Sequence, residues 1–216
     1  MKCKIFIIFA LSVLFVTFSS MAFSGPETLN FQVLRNGKPV GTHRITISNI
    51  KNQIRVDLHT QIKIDGFFTT SYAFDHTSQE TWAGGQLLDM TSITDNDGNH
   101  MSVIAHPEED SLIINSVING RDRLQILPLG IMPTSLWNAD LIGRTQLLNS
   151  QDGKILDVSV KNLGTENIPV HGILTQTHHY GISGEFTREL WFDEDGKLVK
   201  VEFPDKSKTT ITFILK

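Results

Sequence analysis

The chain has 216 residues, 40% of them hydrophobic, and a formal net charge of -4 from 19 basic and 23 acidic side chains. An acidic balance without a basic stripe argues against a nucleic-acid partner, whose phosphates would need neutralising. A single cysteine excludes an internal disulfide and a thiolate metal site.

At the N-terminus Lys2 and Lys4 flank the start of an apolar run, residues 5–18, broken only by Ser12 and Thr17; the small residues Ser19, Ser20, Ala22 and Ser24 follow. That order is the one of a cleavable secretory signal peptide. The run falls short of the roughly 18 to 20 apolar residues that span a bilayer. Cleavage after Ala22 or after Ser24 both leave small residues at the required positions, so residues 1–24 are assigned to the signal and residues 25–216 to one exported, periplasmic domain. Cys3 precedes the apolar run, so it cannot be the lipid-bearing cysteine of a lipoprotein, and cleavage leaves a mature chain with no thiol.

The mature chain alternates. Leu29, Phe31 and Val33 share one face, then Ile45 and Ile47, and then Ile54, Val56, Leu58, Thr60, Ile62 and Ile64, with Arg55, Asp57, His59, Gln61 and Lys63 on the other side. A period of two over eleven residues is a long strand with one dry and one wet face. The same pattern marks Leu156-Val158-Val160, Leu190-Phe192, Val199-Val201-Phe203 and Ile211-Phe213-Leu215. Turn formers punctuate the chain at Asn36-Gly37, Gly84-Gly85, Asp97-Gly98, Asn119-Gly120, Asp152-Gly153 and Asp195-Gly196. Such pairs tolerate the positive φ of tight hairpins, so successive strands are expected to be antiparallel neighbours. The expected fold is all-β: a single curved antiparallel sheet of meander hairpins, a half-barrel or open barrel. One insertion near residues 128–143 interrupts it, with Pro133-Thr134-Ser135 placed to cap a short helix through Ala139.

No catalytic motif stands out. Gly181-Ile182-Ser183-Gly184 is a turn, not the strand-to-helix elbow of a serine nucleophile. His171, His178 and His179 offer at most two ligands on one strand face, and Asp193 and Asp195-Gly196 would place Trp191 where a calcium loop needs oxygen, so no metal or other cofactor is assigned. Glu80 and Glu189 each stand two residues before a tryptophan, Trp82 and Trp191, and form the one candidate acid/base pair for glycan hydrolysis. The order Tyr72, Glu80, Trp82, Gly85, Leu87 also recurs as Tyr180, Glu189, Trp191, Gly196, Leu198, a faint internal echo. The apolar segment from Pro128 to Asn138 has the composition of a plug or lid over a concave sheet.

Gly37-x3-Gly41-x-His43, Glu80-x-Trp82-x2-Gly85-x-Leu87, Pro133-Thr-Ser135-x-Trp137-Asn138 and Leu190-Trp-Phe-Asp193-x2-Gly196-x-Leu198-Val199 together resemble the exported bacterial domain-of-unknown-function family 6134, and remotely family 3108. The resemblance implies an envelope location and a curved antiparallel sheet, similar in shape to the half-barrel lipoprotein carriers of the periplasm. It implies no activity and no functional residues.

The leading expectation is a non-catalytic binding or carrier module for an apolar or amphiphilic ligand such as a lipid or lipoprotein acyl chain. Its candidate ligand contacts are Trp82, Met132, Ser135, Trp137, Asn138 and Trp191. The alternatives are a glycan-directed hydrolase using Glu80 and Glu189, and an assembly protein whose sheet edge pairs with an envelope partner. A cavity of about 300 Å³ or more lined by aliphatic side chains would mark the carrier, and a filled core the assembly protein.

Overall fold

A computed structural model describes residues 25–65 and 70–216; the expected signal peptide, residues 1–24, lies outside them. The chain forms one open sheet of fifteen strands, in the order β8-β7-β6-β5-β4-β3-β2-β1-β15-β14-β13-β12-β11-β10-β9. The first eight are β1 (Glu27–Arg35), β2 (Lys38–Ile50), β3 (Gln53–Asp65), β4 (Thr70–Ala83), β5 (Gln86–Asn96), β6 (Asn99–Glu108), β7 (Ser111–Ile118) and β8 (Arg121–Pro128). They are followed by β9 (Met132–Pro133), β10 (Gln146–Leu148), β11 (Ile155–Val170), β12 (Ile173–Gly184), β13 (Arg188–Phe192), β14 (Leu198–Pro204) and β15 (Thr210–Leu215).

Short turns dictate this meander. Asn36-Gly37 and Asp97-Gly98 take positive φ at both residues (49° and 76°, 53° and 81°), the two-residue hairpin geometry whose twist matches the flanking strands. His171-Gly172 makes the same turn between β11 and β12 with a histidine in the first position, a hairpin that turn composition alone does not announce. Among the described residues only β9 and β10 pair in parallel.

β1 pairs with both β2 and β15, so the chain's first and last strands lie together mid-sheet. The sheet then extends outward on each side to β8 and β9, which residues 129–131 join directly. A three-residue connection between the two ends requires the sheet to curl. One buried cluster accordingly draws on strands from both halves, from Leu29, Phe31 and Val56 to Leu190, Phe192 and Val201.

β3 alternates as its pattern predicts, with Val56, Leu58 and Thr60 inside and Arg55, Asp57 and His59 outside. Strands β4 to β7 show less apolar alternation because several of their inward positions are polar: His76, Ser78, Glu80, Ser92, Thr94 and Ser116 are all buried. The insertion holds no α-helix. Its single 3-10 turn, Ala139–Leu141, is capped by Asn138, which accepts from the Asp140 N–H at 3.2 Å. A helix cannot start at Ser135, because Leu136 takes φ +58° and the Ser135 hydroxyl is already engaged elsewhere.

Candidate functional site

Glu80 owes its position to the parity of β4. Ala73, Asp75, Thr77, Gln79 and Thr81 form the outward set, leaving His76, Ser78, Glu80 and Trp82 inside, all four buried. The carboxyl accepts at Oε2 from Trp82 Nε1 (2.9 Å) and from Ser135 Oγ (3.3 Å). The Ser78 hydroxyl and the Trp137 indole N–H are further donors beside it that fall short of hydrogen-bond geometry, and no cation pairs with it among the described residues. Burial therefore dominates and pushes the Glu80 carboxyl up to about 7, against the pull of the surrounding donors. With Trp137 packed edge-on to Trp82 at 5.9 Å, this cluster pins residues 132–137 onto the sheet. Met132, Leu141, Leu147 and Leu148 are buried with it, so the insertion and the strand after it fill part of the curl of the sheet.

Glu189 lies on the other side of the wall. It alternates with Leu190, fully buried, and its own side chain is 53% exposed, with Oε2 3.0 Å from His179 Nε2. Trp191 shares its outward face. The indole is covered there by the His179 ring, stacked at 4.2 Å, and by Lys200 Nζ at 4.0 Å, and its Nε1 donates to Glu166 Oε2 at 2.8 Å. Glu80 and Glu189 thus occupy opposite faces of the sheet, and neither lines a cavity described below.

Beside the Glu80 cluster the packing leaves a partly open cavity of about 210 Å³ between β2–β5 on one side and β13–β15 on the other. Its walls include Tyr72, Phe74, Phe186, Phe203 and Phe213, with Thr134, Ser135 and Ser150 from the insertion and the loop after β10. Two histidines complete it. His43 Nδ1 lies 2.7 Å from Thr60 Oγ1, with its ring between those of Phe31 and Phe213, and His76 Nδ1 lies 2.8 Å from Thr94 Oγ1. Burial holds them at about 3 and about 4, so both are neutral at physiological pH. Tyr72 donates to Asn96 Oδ1 at 3.0 Å. Arg188 closes one side, its guanidinium carbon 3.7 Å from the centre of the Phe203 ring and 4.3 Å from that of Phe186. A more open depression of about 410 Å³ lies across β2 to β5, with Lys63, Asp75 and Asp95 among its lining residues.

The cavity falls below the roughly 300 Å³ of ordinary small-molecule pockets, and its walls are aromatic and imidazole more than aliphatic. Of the residues expected to touch a ligand, Ser135 lines it. Trp82 and Met132 are buried outside its walls, Trp137 and Asn138 are half-buried on the insertion, and Trp191 is buried on the outer face of the sheet beneath His179 and Lys200. Of the polar wall residues, His43 and Tyr72 stand in sequence motifs that give them no role, and His76 and Arg188 stand in none. Parity was the signal for them: Arg188 is in phase with Leu190 and Phe192, and His43 with Ile45. Among the described residues no group of three or more His, Cys, Asp or Glu is placed to hold a metal ion.

The sequence profile of domain of unknown function DUF6134 matches residues 31–216. The chain belongs to the DUF6134 family. No curated protein matches it in sequence. In structure it is similar to a β-barrel-like protein of domain of unknown function DUF1849 from Brucella abortus, known from its crystal structure, with a TM-score of 0.64 over 89% of this chain and 96% of that one. At 9% identity this likeness is one of fold, and it sets the DUF6134 chain beside a second family of unknown function.

Proposed function

We propose that this DUF6134 protein is a non-catalytic binding module, exported to the periplasm, that takes an apolar or amphiphilic ligand into the cavity between β2–β5 and β13–β15. The cavity itself carries the reading. The surrounding interior is closely packed, with Val33, Ile45, Val56 and Met90 at 0% exposure, yet about 210 Å³ is left open in the curl of the sheet. The aromatic and aliphatic walls around this partly open pocket keep apolar surface that a ligand would bury. The placement of Glu80 and Glu189 on opposite faces gives no support to a hydrolase built on that pair.

The test compares the protein with Ile62→Trp, which fills the cavity from its half-buried wall. Organic extracts of the two purified proteins, analysed by mass spectrometry, are expected to differ by a small molecule carried by the wild type alone. Identical extracts, together with no thermal stabilisation of the wild type by small aromatic or aliphatic compounds, would sink the binding reading. Fractionation of cells expressing the full chain tests the address separately, since full-length protein recovered in the membrane would overturn export.

A further inference from the structure

Among the described residues Arg188 is the one permanently charged side chain lining the cavity, and no carboxylate lines it. It arrives there through the alternation of β13, sharing the inward face of Leu190 and Phe192. Its guanidinium donates through Nη1 to the Thr187 carbonyl at 2.7 Å and makes no ion pair among the described residues. Residues 1–24 and 66–69 contain no Asp or Glu, so the rest of the chain holds no acid to supply one. Burial lowers its pKa to about 10, which leaves it cationic at neutral pH. His43 and His76 add no charge beside it.

A half-buried cation without a counter-ion is costly, and two flanking aromatic rings only partly compensate it. A guanidinium presents five N–H donors in a planar fork, and here the protein uses one. We infer that the ligand of this cavity is a small monocarboxylate, its oxygens taken by the free donors of Arg188 and its apolar or aromatic body laid against Phe74, Phe203 and Phe213. The inference rests on the reading of the cavity as a ligand site. A carboxylate matches the fork in pairs of parallel hydrogen bonds, whereas a doubly charged phosphate would leave a charge that no second cation in the lining meets. Size limits the body. An engineered cavity of about 150 Å³ holds benzene, so one of about 210 Å³ takes a ring or a chain of about six carbons with its acid group.

The experiment is calorimetric titration at pH 7 of protein expressed from the full chain, using phenylacetate against phenylacetamide and hexanoate against hexanamide. Each acid is expected to bind at least tenfold tighter than its neutral amide, with Arg188→Gln bringing the two to within about twofold of each other. Equal binding of acid and amide by the wild type would overturn this inference yet leave the ligand cavity standing, provided that Ile62→Trp abolishes both. Binding of neither member of a pair at millimolar concentration would overturn the inference and the cavity reading together. Should Arg188→Gln fail to fold, the acid-to-amide ratio of the wild type decides alone. Hexadecanoate separates the sources of the acid: binding at least tenfold tighter than hexanoate identifies a fatty acid whose tail leaves the cavity, and equal binding identifies a small free acid.

Discussion

Glu80-Thr81-Trp82 on β4 and Glu189-Leu190-Trp191 on β13 carry the same Glu-x-Trp pattern, and each is followed by a Gly-x-Leu turn. The fold uses them on opposite faces. On β4 the intervening positions are polar and take the solvent, which drives Glu80 and Trp82 inward; on β13 Leu190 and Phe192 claim the interior and turn Glu189 and Trp191 outward. A local motif therefore does not decide where its side chains point. The neighbours one residue away do, through the strand period of two.

The sharpest way to break this comparison is to place a second carboxyl beside each glutamate. Outside, the protein already does so: Glu189 lies directly opposite Glu202 across β13 and β14, and Glu202 is held by Thr212 and Lys200 near water. Inside, Val56 is the residue opposite Glu80, and it is fully buried. Val56→Asp should cost several kcal/mol, against a typical total stability of about 5 to 15, and abolish the cooperative melt. An unchanged melting curve would mean that this face of β3 is wet.

A smaller effect tests the titration of Glu80. Its folded pKa is raised from 4.5 to about 7, so its contribution is fully present below pH 4.5, declines as pH rises and is gone above about pH 7. His43 and His76 act in the opposite sense. Their pKa values fall from 6.5 to about 3 and about 4, so the stability they contribute is complete above pH 6.5 and is lost as pH falls. Glu80→Gln isolates the glutamate, because the histidines cancel in the difference. The stability of Glu80→Gln relative to wild type should rise by about 3 kcal/mol between pH 4.5 and 7 and then level off. Urea denaturation across that range measures it, and a difference that stays flat would place the carboxyl in contact with solvent.

Much of the fold was legible because alternation and turn chemistry agree. β3 can be assigned from Val56, Leu58 and Thr60 alone, and the hairpins at Asn36-Gly37 and Asp97-Gly98 follow from their residue types. Strands β4 to β7 were harder to read, since His76, Ser78, Glu80 and Ser116 occupy inward positions that a dry face would fill with aliphatics. The insertion resisted for another reason. Ser135 has the residue type of a helix cap, but its hydroxyl donates to Glu80, fifty-five positions away, and no local pattern records that bond. The cavity was hidden in the same way, since His43, His76 and Arg188 meet across strands far apart in sequence.

The finest test exchanges each tryptophan for phenylalanine, which keeps a ring and removes the indole N–H. At Trp82 the lost donor serves Glu80 Oε2 in a site sealed from water, so the carboxyl keeps only the longer bond from Ser135, and the smaller ring leaves a void beneath Trp137. Losing a buried partner and leaving a cavity should together cost about 2 to 3 kcal/mol. At Trp191 the acceptor is Glu166, whose side chain is 50% exposed and can turn to water, while the contacts with His179 and Lys200 survive on a phenyl ring. Both indoles are buried, at 3% and 2% exposure, so the loss of ring volume is common to the two and Trp191→Phe should cost about 1 kcal/mol less than Trp82→Phe. The two variants are to be compared by their urea midpoints at unchanged m-value, so that the shift reports stability and not a change in compactness. If Trp191→Phe proved as costly as Trp82→Phe, Glu166 would not regain a partner from water after losing the indole, and the exposure of the acceptor would not set the difference between the two sites.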